Sequence, residues 1–336
     1  MIKTLKTPRL TSYSTTGLIV VVLLAFSFVT SPDPGSFAIT VLSGLLQGML
    51  LFLVASGLSI VFGLMDVLNF AQGTFFMLGA YLSYATFHSP AVLNVIPDPT
   101  LRFIAAILVA VVVGAVLGAF FERGLLRPLY SRPIFQIVLT FGVSIVLTEA
   151  IKAIWTTTPY SWTSTFGLLS AKFEFVGQQF GVYRLFVIAI GALLIVSIAL
   201  LLQRTRLGII IRAGVEDSTM VEALGINVRL VFTLVFTLGC AVATFGGAIA
   251  APFLGISIGL GNLYLLPAIA VVVIGGLGSY EGTAIGSILV GLAVAVVSQF
   301  TIKYLNQPVW QSITPMILLM LVLLLKPGGL FGKEST

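Results

Sequence analysis

GLSIVFGLMDVLNFAQGTFFMLGAYLSY, residues 57–84, decides how the rest of the chain is read. Two apolar segments are joined by a polar hinge, Asp66-Val67-Leu68-Asn69, with Gln72 and Gly73 close behind it. In a soluble protein this hinge would be an ordinary loop. The surrounding composition argues against water: 58% of the 336 residues are hydrophobic and 8% are charged, whereas soluble domains carry about 25% charge. In a bilayer, irregular backbone and uncharged polar side chains persist only against other protein or along a hydrated cavity. The stretch is therefore the leading candidate for the wall of a pathway.

Working outward, apolar runs at 16–29, 37–62, 71–87, 103–121, 134–155, 183–202 and 231–251 read as membrane helices. The region 263–300 is interrupted by GGLGSYEG at 275–282 and is read as two shorter elements, and 313–325 is the last helix. The first run has the charge pattern of a signal peptide. Pro32-Asp33-Pro34 and the lack of a small-x-small cleavage site favour a first membrane helix. The result is one transmembrane domain over 1–336, an all-α bundle of eight to ten crossings with breaks near 63–73 and 275–282. Residues 263–275 and 313–325 are short against the roughly 20 residues of a full span, which is why the count is a range. The insertion at 156–182 is polar, and its aromatic residues are expected at the membrane interface.

Charge orients the bundle. Placing the N-terminus in the cytoplasm puts twelve of the 17 basic residues inside, including Arg123, Arg127 and Arg132, and five outside or at the outer boundary. This matches the positive-inside rule and places both termini in the cytoplasm. The same distribution, short clusters between apolar runs, argues against nucleic acid as the partner of a +6 chain. One cysteine, Cys240, and one histidine, His88, leave no disulfide, no Cys-based metal cluster and no histidine relay. No phosphate-binding loop, HExxH or GxSxG is present, so the chain carries no enzymatic chemistry of its own.

Asn69, Gln72, Gly73, Gly275, Gly276 and Ser279, at the two breaks, are the candidates for pathway or gate, because broken helices leave backbone groups free to face a solute or to hinge. For Asn69, Gln72 and Ser279 the alternative is hydrogen bonding between helices, and for Asp66 and Glu281 it is a loop-end acid in water. Gln136, Thr140, Ser144 and Thr148 form a polar stripe at four-residue spacing that should turn inward, for packing or for transport. Glu149 and Lys152 are read as an exposed pair on one helical face. Small-xxx-small steps at Gly44 and Gly48, Gly114 and Gly118, Gly255 and Gly259, and Gly282 and Gly286 favour close helix packing. The most charged segment, 203–230, contains Glu216, Asp217, Met220, Glu222, Ala223 and Leu224, which suit a short amphipathic helix stopped by Gly225.

Three stretches then carry a resemblance. GLSIVFGLMDVLNFAQGTFFMLGAY at 57–81, RTRLGIIIRAGVEDSTMVEALGINV at 204–228 and AVVVIGGLGSYEGTAIGSILVGL at 270–292 resemble the inner-membrane permeases of branched-chain amino acid ABC importers, most closely the first of the two paired permeases. The resemblance implies a second permease, two cytoplasmic ATPases and an external solute-binding protein as partners, with ATP and magnesium bound by the ATPases. It makes 203–230 the ATPase-docking loop, with Arg212, Glu216, Asp217, Glu222, Ala223 and Gly225 as coupling residues. Glu222-Ala223 and Gly225 echo the Glu-Ala-Ala…Gly coupling signature only loosely. Related permeases also serve urea and short amides, and a channel or secondary transporter working without ATPases is the alternative class.

Overall fold

The computed structural model describes residues 9–130, 132–162, 167–216 and 218–332. The chain starts with α1 (Arg9–Thr30), the long α2 (Pro34–Met65) and α3 (Gln72–His88). A short α4 (Pro90–Val95) leads to α5 (Pro99–Phe121), which runs on through a π-turn at Glu122–Leu126 and a 3-10 turn at Arg127–Leu129. After α6 (Pro133–Trp155) come a single turn, α7 (Gly167–Ser170), and an antiparallel hairpin of β1 (Lys172–Phe175) and β2 (Gln178–Gly181). The second half comprises α8 (Val182–Arg204), α9 (Arg206–Glu216), α10 (Ser218–Ala223), α11 (Val228–Leu254), α12 (Leu260–Gly275), α13 (Tyr280–Leu305) and α14 (Trp310–Leu325).

Seven of these helices are long and apolar enough to cross a membrane, and α12 and α14 are shorter apolar helices. Helix α3 has 17 residues, and α12 and α14 have 16 each. At 1.5 Å per residue a 16-residue helix covers about 24 Å, less than the roughly 30 Å hydrocarbon core. The apolar runs understate the helices at their starts. Asp33 caps α2 by accepting from the Ser36 N–H at 2.9 Å, and Asp98 caps α5 by accepting from Thr100 and Leu101 at 2.7 and 2.9 Å. Each cap is followed by proline at the first helical position, so a motif that reads as a loop is a helix start.

The middle of α2 (Leu50 to Leu58), α3, α11, α12 and α13 form the buried centre. Helices α1, α5, α6, α8 and α14 surround it and turn Leu18, Leu108, Val138, Val196 and Leu324 outward, as a lipid-facing ring requires. Lipid supplies no hydrophobic drive between helices, so close backbone approach has to hold them. At Gly48 a methyl group would stand 2.8 Å from the Ser287 carbonyl oxygen of α13; at Gly118 it would stand 2.8 Å from Cys240 Cβ of α11. The Gly44/Gly48, Gly114/Gly118 and Gly282/Gly286 steps thus lie at helix crossings. Gly255/Gly259 does not: it belongs to the link between α11 and α12, where Gly255 has φ +74°.

The insertion after α6 holds the hairpin, which interfacial aromatic content alone does not announce. Phe173 pairs with Phe180 across it, and Val176-Gly177 turns the chain with φ +51° and +75°. The alternation in KFEFVGQQFG was its sequence signal. Tyr160 exchanges two 2.9 Å backbone hydrogen bonds with Ile256, tying the insertion to the α11–α12 link.

Candidate translocation gate

The two helix breaks differ in depth. Helix α2 ends at Asp66, a non-glycine residue at φ 53° whose N–H bonds back to the Phe62 carbonyl. The chain then re-enters the bundle. Gln72 is fully buried, and its Nε2 donates to the Gly239 carbonyl at 3.0 Å and to the Val54 carbonyl at 3.5 Å. Val54 lies eleven residues before Met65 and Gly239 eleven after Val228, about 16 Å of helix from the bundle end in each case. Residues 67–71 make the link, and the Gln72 N–H closes a turn onto the Asn69 carbonyl at 3.1 Å. Asn69, also fully buried, donates to Gln72 Oε1 at 3.2 Å and accepts from the Ala71 N–H at 3.1 Å. Their amide groups are thus engaged with α2, α11 and each other.

The polar stripe of α6 closes the same region. Gln136, Thr140 and Ser144 are buried; Thr140 Oγ1 donates to the Leu68 carbonyl at 3.3 Å, and Ser144 Oγ and Thr74 Oγ1 share a 2.7 Å hydrogen bond. The stripe turns inward, and packing occupies it. At Gly73 a side chain would collide with the Gly261 carbonyl of α12, so glycine sets that crossing. Glu149 and Lys152 form an exposed pair at 2.6 Å.

The second break stays at the bundle end. It comprises Gly276–Ser279, with Gly276 at φ +104° and Gly278 at φ +77°. Ser279 caps α13 by accepting from the Gly282 N–H at 3.1 Å. Gly275 and Gly282 are in backbone contact too close for any side chain. The C-terminal segment covers the break: the Leu330 and Phe331 N–H groups donate to the Ile274 and Gly275 carbonyls at 2.8 and 3.0 Å, satisfying two end carbonyls of α12. The glycines of KPGGLFGK were the signal for this cap, which a reading of the tail as merely basic misses.

The last turns of α2 meet the second break. A methyl on Gly63 would lie 3.3 Å from Gly278 Cα. Beside this contact a cleft of about 900 Å³ opens, lined by Ser59, Gly63, Asp66, Gln203, Ile211, Ser279, Glu281 and Phe331 among others. Of the residues expected at a gate, Ser279 lines this cleft; Gly275 and Gly276 form the buried turn behind it, and Asn69, Gln72 and Gly73 lie deeper. Asp66 and Glu281 are exposed acids at its rim, Glu281 accepting from Gln203 Nε2 at 3.1 Å.

The 203–230 segment borders the cleft through Gln203 and Ile211. Of the residues expected to couple to a partner, Arg212 and Glu216 lie on α9, and Glu222 and Ala223, both exposed, on α10. Asp217 lies outside the described residues. Gly225, at φ +81°, ends α10 as the Gly225 N–H bonds to the Glu222 carbonyl at 2.9 Å. Val221 is buried, while Met220 and Leu224 stand 64% and 73% exposed, an apolar face on an otherwise charged loop.

Sequence reasoning did not single out Glu122, which follows the apolar run 103–121 and is fully buried at the π-turn. The Tyr130 hydroxyl donates to its Oε1, Oε2 has no hydrogen-bond partner among the described residues, and the Tyr130 ring meets Phe232 of α11 edge-on at 5.3 Å.

Residues 40–323 match the family model described as branched-chain amino acid transport system / permease component. The chain belongs to this family. It is 30% identical over 308 residues to the high-affinity branched-chain amino acid transport system permease protein BraD of Pseudomonas aeruginosa, covering 87% of this chain and 95% of that one. It is 27% identical over 298 residues to the corresponding protein LivH of Escherichia coli, covering 87% and 94%. A more distant likeness, 26% over 318 residues (88% and 89% covered), joins it to the galactose/methyl galactoside import permease protein MglC of Escherichia coli. The chain is a multi-pass transport permease and not an enzyme.

Proposed function

We propose that this chain is one of two paired permeases of an inner-membrane ABC importer that moves branched-chain amino acids into the cytoplasm. The observation that carries the reading is the meeting of two interrupted helices, Gly63 against Gly278, beside the 203–230 segment, in a chain whose relatives are named as branched-chain amino acid permeases. In this reading the cleft is the cytoplasmic gate and both termini lie in the cytoplasm. Two ATPases, which bind the ATP and magnesium, dock on α9 and α10, with Met220 and Leu224 as the apolar contact. A solute-binding protein delivers the solute from outside. ATPase closure drives α9 against the second core cluster, where Ile211 packs with Ile60, Leu64 and Tyr280, and so biases the gate between two states. Asn69 and Gln72 hold the deep link in place while the gate moves.

Uptake of radiolabelled leucine into vesicles carrying the complete importer tests this. Uptake should require ATP and fall at least tenfold in Glu222→Arg with normal membrane insertion. Uptake that ignores ATP would end the ABC reading. Glu122 favours one second reading, a gradient-driven carrier, because a buried carboxylate is what such a carrier needs. Ion-dependent uptake lost in Glu122→Gln would support it. A parallel panel with urea and a short amide separates the substrate alternatives.

A further inference from the structure

Among the described residues, six buried side-chain atoms lack a hydrogen-bond partner, and four of them belong to one run of rings at the end opposite the gate: Tyr81 Oη, Arg102 Nε and Nη1, and Trp162 Nε1. Arg102 is 7% exposed, and its guanidinium carbon lies 4.6 Å from the centroid of Phe87. The Trp162 ring packs 4.8 Å from the same Phe87 and 5.9 Å from Phe103. Two sets of unused donors therefore flank one ring. Tyr81 joins through Tyr160 and Tyr84, at 6.2 and 5.0 Å.

An arginine does not shed its proton when buried. Its attraction to the Phe87 face offsets part of the desolvation but uses none of its N–H groups. The nearest acid along the chain, Asp98, is committed to the α5 cap through Thr100 and Leu101. The ion pair found among the described residues is Lys152 with Glu149, not one with Arg102. What the cluster lacks is an acceptor bearing negative charge.

We propose that Arg102 and Trp162 form an oxyanion site that takes a carboxylate or phosphate group. Arg102 supplies charge-assisted hydrogen bonds, Trp162 Nε1 a further donor, and Phe87 and Phe103 an apolar wall for the body of the ligand. Arg102 Nε and Nη1 are closed to solvent in this conformation, so occupancy moves the indole off Phe87 and changes its emission.

The test uses the full chain in maltoside micelles, which carry no phosphate, with Trp155→Phe and Trp310→Phe leaving Trp162 as the reporter. Isobutyrate and phosphatidylglycerol are titrated separately. A saturable emission change with isobutyrate assigns a free carboxylate, and one with phosphatidylglycerol alone assigns a lipid headgroup. Either should weaken at least tenfold in Arg102→Gln and be partly kept in Arg102→Lys, which preserves the charge if the glutamine variant fails to fold. Isobutylamine and a neutral diacylglycerol should give no response. No saturable response to either anion, or one unchanged in Arg102→Gln and Arg102→Lys, would overturn the proposal.

Discussion

The two helix breaks solve one problem, irregular backbone inside a membrane protein, with different materials. The link after Asp66 re-enters the bundle and is fixed by side-chain amides, Asn69 to Gln72 and Gln72 to the Gly239 carbonyl. The turn at 276–279 stays at the surface and is fixed by glycine backbone against backbone, with the tail hydrogen-bonded over it. A deep break must satisfy every polar group with protein, because no water reaches it. A shallow one needs only room for the chain to reverse. The difference suits the first to a fixed support and the second to a moving part.

Breaking the glycine contact should have the largest effect. Gly282→Val inserts a side chain where the Gly275 carbonyl already lies in contact, and overpacking of this kind costs about 3 kcal/mol or more. The expected outcome is loss of the monodisperse protein on size exclusion, while Gly142→Val, in open space, is tolerated. The amide pin comes next. Gln72→Leu leaves Asn69 Nδ2 and the Gly239 carbonyl without this partner and should destabilise by about 1–3 kcal/mol, read as a lower melting temperature.

A smaller effect is expected from truncation after Lys326, which removes the Leu330 and Phe331 hydrogen bonds to α12. Stability should fall by about 1–2 kcal/mol, and the shallow break alone should gain hydrogen exchange at Gly276–Ser279. Equal gain at 67–71 would mean that the two breaks are one unit. The smallest effect belongs to neither break. Hydrogen bonds from the Ser36 side chain, first, and the Ser36 backbone lower the Asp33 carboxyl below its ordinary value. The folded value is depressed, so this contribution is present above the ordinary carboxylate pKa and is lost as pH falls through the depressed one. Asp33→Asn should remove that shallow acid dependence of the melting temperature and leave both breaks unchanged.

Much of the fold was legible because lipid imposes a simple rule: every pass is an apolar helix, so runs of apolar residues mark the passes directly. Pro34 and Pro99 hid the true starts of α2 and α5, since Asp-Pro reads equally as a turn. The position of the gate was half legible. GGLGSYEG and Asp66 to Asn69 announce irregular backbone, but nothing in their order says that Gly63 touches Gly278, 215 residues on. Depth was not legible either. Asn69 and Ser279 are both polar residues at a break, and only the tertiary contacts separate a buried pin from a cleft wall. Glu122 and Arg102 were not singled out for the same reason: a charge at the end of an apolar run shows its burial only once its neighbours are known.

The central claim is that the Gly63–Gly278 region is a gate worked by the docked ATPases. The most direct measurement is the distance between spin labels at Met65→Cys and Leu277→Cys in the assembled importer, by pulsed electron resonance, without nucleotide and with ATP trapped before hydrolysis. Cys240 is buried and stays unlabelled. The account predicts a change of several ångströms, on the scale of small helix shifts at switching interfaces, abolished by Glu222→Arg. One unchanged distance distribution in both nucleotide states, with the ATPases bound, would contradict it.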